Sequence, residues 1–237
     1  MATYVYAIAG REHPLHLDGA GGVGDPAREL RTLRADELEL VVSDAPEGLR
    51  AKRRDVVAHQ GVLERLLEQG PVLPMRFGLV APDDGRAVEA VREKAGEYAD
   101  RLRELDGCRE YNVKVTRVEE ELLRQILAEV PEARRLQALS RERPDDPNRK
   151  MALGEFLAHQ VQARHEQDAE RIVAGLAPSA VRCTVGQATG DAFLNVSFLV
   201  SRDRAAAFVE AVHQEAERRG DGYAFRTHGP LPPYSFV

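Results

Sequence analysis

SAVRCTVGQATGDAFLNVSFLVS, residues 179 to 201, sets the order of elements in the C-terminal half. Two runs rich in Val, Phe, Thr and Ser flank the turn-forming cluster Ala188 to Asp191, which predicts a hairpin between SAVRCTVGQ and AFLNVSFLVS. Upstream, CREYNVKVTRV (108–118) reads as a strand. EEELLRQILAEV (119–130) and MALGEFLAHQVQARHEQDAERIVAGL (151–176) carry helical spacing, with RERPDDPNRK (141–150) as a charged loop between them. Downstream, RAAAFVEAVHQEAERR (204–219) is a helix and GYAFRTHGP (222–230) the last strand. The order from residue 108 is therefore β-α-β-β-α-β with an extra helix, the ferredoxin-like split of an antiparallel sheet with helices on one face. Cys183 is expected on one of its middle strands.

Moving outward, TYVYAIA (3–9) is a first strand, and ARELRTL and ELELVVSD (27–33 and 37–44) fit a hairpin joined by residues 34–36. Residues 51–69 predict an amphipathic helix with Val56, Leu63, Leu66 and Leu67 near one face, stopped by Gly70-Pro71. Residues 83–105 predict a second one, ending near Asp106-Gly107. The overall class is thus α+β in two domains, an N-terminal α+β domain (1–107) and a ferredoxin-like domain (108–228), followed by a Pro-rich tail (229–237).

Between those N-terminal helices lies VLPMRFGLV (72–80). Read as a strand, it puts Leu73, Met75, Phe77 and Leu79 on a core face and Pro74, Arg76 and Gly78 on the other. A guanidinium between a residue that cannot donate to a ladder and one that admits a close backbone makes Pro74, Arg76 and Gly78 candidates for contact with a partner. Pro232, Pro233, Tyr234 and Phe236 join them. Three prolines at 230, 232 and 233 restrict the last segment, and its aromatic side chains favour burial, so an ordered latch on the protein's own surface is expected.

Composition narrows the chemistry. With 43% hydrophobic and 30% charged residues the chain is an ordinary globular one. A net charge of −6 and a pI near 5.7, with no basic run interleaved with aromatics, oppose nucleic acid as a partner. No apolar run approaches the roughly 20 residues of a membrane span. Arginine supplies all but four of the 33 basic residues, a bias that fits GC-rich coding better than phosphate recognition. Cys108 and Cys183 stand alone, which suggests neither a disulfide framework nor a metal site.

GAGGVG, Gly19 to Gly24, matches G-x-G-x-x-G, with Asp44 at the acidic spacing of a dinucleotide site. A phosphate-cradling loop turns straight from strand into helix, whereas nine residues intervene here and ARELRTL is too short for a crossover helix. A flexible loop is the stronger reading, and a nucleotide-binding protein or enzyme using Gly19 to Gly24 is the alternative. The histidines show no metal or triad spacing and are expected to be solvated or singly bonded. No nucleophile elbow occurs. No cofactor, no metal and no catalysis are implied.

YVYAIAG, DELELVVSDAP, AHQGVLERLLEQGPVLPMRFGLV, EYNVKV and GPLPPYSFV occur in that order from Tyr4 to Val237, and together they resemble the gas vesicle protein family written GvpL/GvpF. PVLPMRFG and PPYSFV are the most distinctive. Departures are Leu79, Tyr111-Asn112 and Leu231, where the family more often has a small polar residue, Trp-Gly and Trp. The resemblance implies a non-enzymatic assembly factor or minor component of gas vesicles, the cytoplasmic gas-filled organelles of buoyancy. It also implies contact with the hydrophobic shell protein and with other accessory proteins.

Overall fold

TYVYAIAG forms the central strand of the first sheet because its residues can be covered on both faces: Thr3 to Ala9 are all buried in β1 (Thr3–Gly10). The hairpin β2 (Arg31–Ala35) and β3 (Leu38–Asp44) turns at Asp36-Glu37, where Asp36 takes a left-handed φ of 58°. β3 lies antiparallel to β1 from Gly10↔Leu38 to Thr3↔Asp44, with an irregularity between Val5 and Ala7. Helix α1 (Arg53–Gln69) stops at Gly70, and β4 (Val72–Pro74) and β5 (Val80–Ala81) both pair with β1. The order is β2-β3-β1-β4. Residues 84–105 make two helices rather than the single one expected, α2 (Asp84–Glu93) and α3 (Ala95–Leu105), because Lys94 leaves helical geometry at φ −119°, ψ 20°.

In the second sheet, β6 (Cys108–Arg117) is followed by α4 (Glu119–Glu129), α5 (Pro131–Glu142), α6 (Pro147–Leu176), β7 (Arg182–Val185), β8 (Ala192–Ser201), α7 (Ala205–Arg219) and β9 (Tyr223–Leu231). The order is β7-β8-β6-β9. Its core alternates along two strands, Tyr111, Val113 and Val115 with Leu194, Val196, Phe198 and Val200, against Ile172, Leu176, Phe208 and Val212 of the helices. Two sequence expectations change, and one unassigned segment proves helical. Cys183 lies on β7, an edge strand, because β6 rather than β7 takes the place beside β9. Helix α5 fills 131–142, where Pro131 opens a helix at its first position instead of breaking one. Helix α6 starts four residues early, since the Asp146 side chain caps it by accepting from the amides of Asn148 and Arg149.

The computed structural model describes all residues from Met1 to Val237, and it divides into one unit of Met1–Glu110 with Gly229–Val237 and another of Tyr111–His228. The last nine residues thus group with the unit of the first sheet, although Gly229 to Leu231 still close β9. Pro232, Pro233 and Phe236 are buried there, and Tyr234 packs on the core of Tyr4, Tyr6, Leu63 and Leu66. Ser235 donates from its amide (2.9 Å) and its hydroxyl (2.7 Å) to the two oxygens of the buried Glu110 carboxylate. Burial, with Glu64 and Glu110 nearby, pushes the Tyr234 hydroxyl up to about 12.

Candidate functional site

VLPMRFGLV is not one strand. Pro74 is opposite Ala7 and Val80 is opposite Tyr4, so six steps of this segment span three steps of β1, and the surplus leaves the ladder as a loop. Its ends are held by the backbone of β1: the Met75 amide donates to the Tyr6 carbonyl (2.8 Å) and the Val5 amide to the Leu79 carbonyl (3.0 Å). Leu79 closes the loop by donating to the Arg76 carbonyl (3.3 Å), and Gly78 takes a φ of +92° that a side chain would strain.

Beneath the loop lies a buried aromatic stack. Tyr4 and Tyr6 alternate onto the same face of β1, with their ring centroids 4.7 Å apart. His59 projects from α1 into that layer, stacked on Tyr6 at 5.5 Å and edge-on to Tyr4 and Phe77. Its Nε2 lies 3.0 Å from the Met75 carbonyl, and its Nδ1 lies 2.9 Å from the Tyr4 hydroxyl. A carbonyl only accepts, so Nε2 carries the proton and Nδ1 accepts from Tyr4. The Gly78 amide in turn donates to the Tyr4 oxygen (3.2 Å). One imidazole therefore grips the loop at both ends, directly at Met75 and through Tyr4 at Gly78. His59 is thus doubly bonded and buried, where a solvated or singly bonded histidine was expected. Its position on α1 held the signal: Asp55, His59, Val62, Leu63 and Leu66 share one stripe at i, i+4, i+7, i+8 and i+11.

Burial holds His59 below the ordinary histidine range, against the pull of the Met75 carbonyl. Above about pH 6.5 the residue is neutral in folded and unfolded chains alike. As pH falls below that value the unfolded chain binds a proton that the folded chain refuses, so stability drops with falling pH. Urea midpoints measured from pH 7.5 to 5.0 should therefore decline, and His59→Gln should remove part of the slope. An equal slope in the variant would discount the clamp.

The structure separates the residues nominated from sequence. Pro74 is buried in β4, while Arg76 and Gly78 are exposed in the loop, so the three do not share a strand face. Phe77 turns inward onto the core, and Leu79, expected to be buried, is 46% exposed beside Val80 at 41%. Val56 is likewise on the outer side of α1. Arg76 makes no ion pair or side-chain hydrogen bond. Pro232, Pro233 and Phe236 are internal, and Tyr234 is half-buried.

The Gly-rich loop has no free cradle. The amides of Gly22, Val23 and Gly24 donate to the Arg28 carbonyl (2.8 Å), the Tyr6 hydroxyl (2.7 Å) and the Asp55 carboxylate (3.1 Å). A negative carboxylate thus stands where a phosphate would need positive potential. Gly22 is required by packing, because a Cβ there would meet the Tyr6 hydroxyl at 2.5 Å and the Arg28 carbonyl at 2.9 Å.

The family model of the gas vesicle synthesis protein GvpL/GvpF matches residues 2–237. The chain belongs to this family. It is 44% identical to gas vesicle protein F of Streptomyces sp. (strain CB03234) over 238 residues, covering all of both chains. To gas vesicle protein L of the same organism it is 26% identical, covering 99% of this chain and 92% of the other. The fold is shared with the crystal structures of GvpF from Anabaena sp. PCC7120 (TM-score 0.83, 20% identity, 99% and 97% of the two chains covered) and Microcystis aeruginosa (TM-score 0.80, 22% identity, 99% and 98% covered). No helix is long and apolar enough to cross a membrane.

Proposed function

We propose that this member of the GvpL/GvpF family is a non-enzymatic assembly factor, or minor component, of gas vesicles. It acts at the vesicle within the cytoplasm and binds the hydrophobic shell protein together with other accessory proteins. A shell subunit with an apolar gas-facing surface is an aggregation hazard before assembly, and an acidic partner that covers part of it lowers that hazard. The observation that carries the reading is the loop Arg76 to Val80, a clamped projection that sets an unpaired guanidinium beside two exposed aliphatic side chains. A preorganised loop loses little entropy on binding, so its few contacts count in full. Identity to the F protein, higher than to the L protein, favours an F-type member. The order β7-β8-β6-β9 supports a ferredoxin-like reading of the C-terminal unit.

Co-expression with the shell protein tests this. Arg76→Glu and Leu79→Ser are each expected to reduce co-purified shell protein by about tenfold, roughly the 1.4 kcal/mol that one well-placed contact contributes. Arg53→Glu and Arg141→Glu, both with exposed parent residues, serve as controls. Once circular dichroism shows all four to be folded, equal capture by all of them removes the loop from the interface.

A further inference from the structure

A cavity of about 720 Å³ opens on the C-terminal unit between α6, the end of α7 and the facing ends of β6 and β9. Five of its ten lining residues are arginines, Arg117, Arg164, Arg171, Arg218 and Arg219, and only Asp168 is acidic. Behind the lining, Glu215 bonds Arg218 and Arg219, and Glu129 bonds Arg164 (2.8 Å). Counting those two carboxylates with Asp168 still leaves the cluster two charges positive, on a chain whose net charge is −6. A salt network serving only to fasten elements together needs no such surplus. Donors are also left over. Arg171, Gln160 and Gln167 project from α6 along the face that carries Arg164 and Asp168, and they make no hydrogen bond or ion pair.

We propose that this cavity binds a small ligand bearing a chain of two or more phosphates. Arg117 and Arg219 are fixed in place: Asp168 holds both (2.7 and 3.1 Å), and the Tyr223 ring lies under Arg117 at 4.8 Å. The other end of the site is Arg171 with Gln160 and Gln167, whose side chains are unpaired, beside Arg164. Planar guanidinium forks match phosphate oxygens two at a time, and several of them around one anion select multiple charge over a single one. A protein segment fits less well. No aliphatic side chain lines the cavity, and its one aromatic ring already carries Arg117, so the apolar anchors on which protein interfaces depend have nothing to bury against. The volume lies within the roughly 300–1,000 Å³ range of small-molecule sites, enough for a triphosphate with or without a nucleoside.

Calorimetric titration of the full chain with inorganic triphosphate, and separately with ATP, at low salt tests the proposal without reference to gas vesicles. Saturable binding of triphosphate is expected, weakened about tenfold or more by Arg171→Glu and several-fold by Arg171→Ala. Arg171 is exposed and unpaired, so both variants should melt as the parent does. Arg86→Glu, on α2, should bind as the parent does. Equal affinity for triphosphate and ATP assigns recognition to the phosphate chain alone, and tighter ATP binding extends it to the nucleoside. The proposal is overturned by absence of binding, by binding indifferent to Arg171, by sulfate competing as well as triphosphate, or by Arg171-dependent binding of poly-glutamate without binding of triphosphate.

Discussion

Asp168→Ala is expected to destabilise the C-terminal unit by about 3–5 kcal/mol, the cost of leaving buried cations without their counter-charge. The Asp168 side chain is 9% exposed and accepts from Arg117 (2.7 Å), Arg219 (3.1 Å) and the Tyr223 hydroxyl (2.7 Å). Arg117, at 8% exposed, has little access to water when the carboxylate is gone. The residue therefore ties together β6, α6, α7 and β9, which no pair of exposed charges does. For contrast, Arg86 and Glu89 also pair at 2.7 Å but are 68% and 57% exposed, so Glu89→Ala should cost under about 1 kcal/mol. The chain has no tryptophan, so urea unfolding is best followed by circular dichroism, with amide exchange to assign the loss. Faster exchange confined to β6, α6, α7 and β9 is the expected result. A loss under 1 kcal/mol for Asp168→Ala would show that water reaches Arg117.

The second large effect is expected at the other end of the chain. Phe236 is 3% exposed, and Phe236→Ala should cost about 3–5 kcal/mol through lost burial and the cavity left behind. Deleting residues 232–237 should cost more. It uncovers the core under Tyr234 and strips the buried Glu110 of both Ser235 donors. In this case faster exchange belongs to β1, α1 and the hairpin β2-β3. Unchanged melting together with lost vesicles would instead assign the tail to a partner's surface.

Much of the fold was legible in the sequence where a single periodicity governs a segment. The strand at 3–9, the helix at 51–69 and the hairpin at 179–201 each show one, and each has a counterpart in β1, α1 and the pair β7-β8. What was missed depends on partners. Alternation in VLPMRFGLV says nothing of how many residues of β1 lie opposite it, so the bulge, and with it the exposure of Leu79, could not be counted in advance. Pro131 has the same identity whether it breaks a helix or starts one. Arg117, Asp168 and Arg219 sit in three different elements and meet only in space. His59 was the avoidable omission, because a polar residue inside the apolar stripe of α1 has to find bonding partners in the core.

The grouping of Gly229–Val237 with the N-terminal unit has a consequence for how the protein is made. Ser235 meets Glu110 across 125 residues, and everything from Tyr111 to His228 is synthesised between them. The inserted unit has all of its chain made before residues 229–237 are added. The unit that emerges first has to wait, with the surface under Tyr234 and Phe236 uncovered, until residues 229–237 have followed the inserted one. A transcript cut short anywhere after codon 110 yields a polypeptide whose N-terminal core stays open and is a ready substrate for proteases and chaperones. Residues 229–237 therefore work as a clasp, shutting the first unit only after the inserted one has been made.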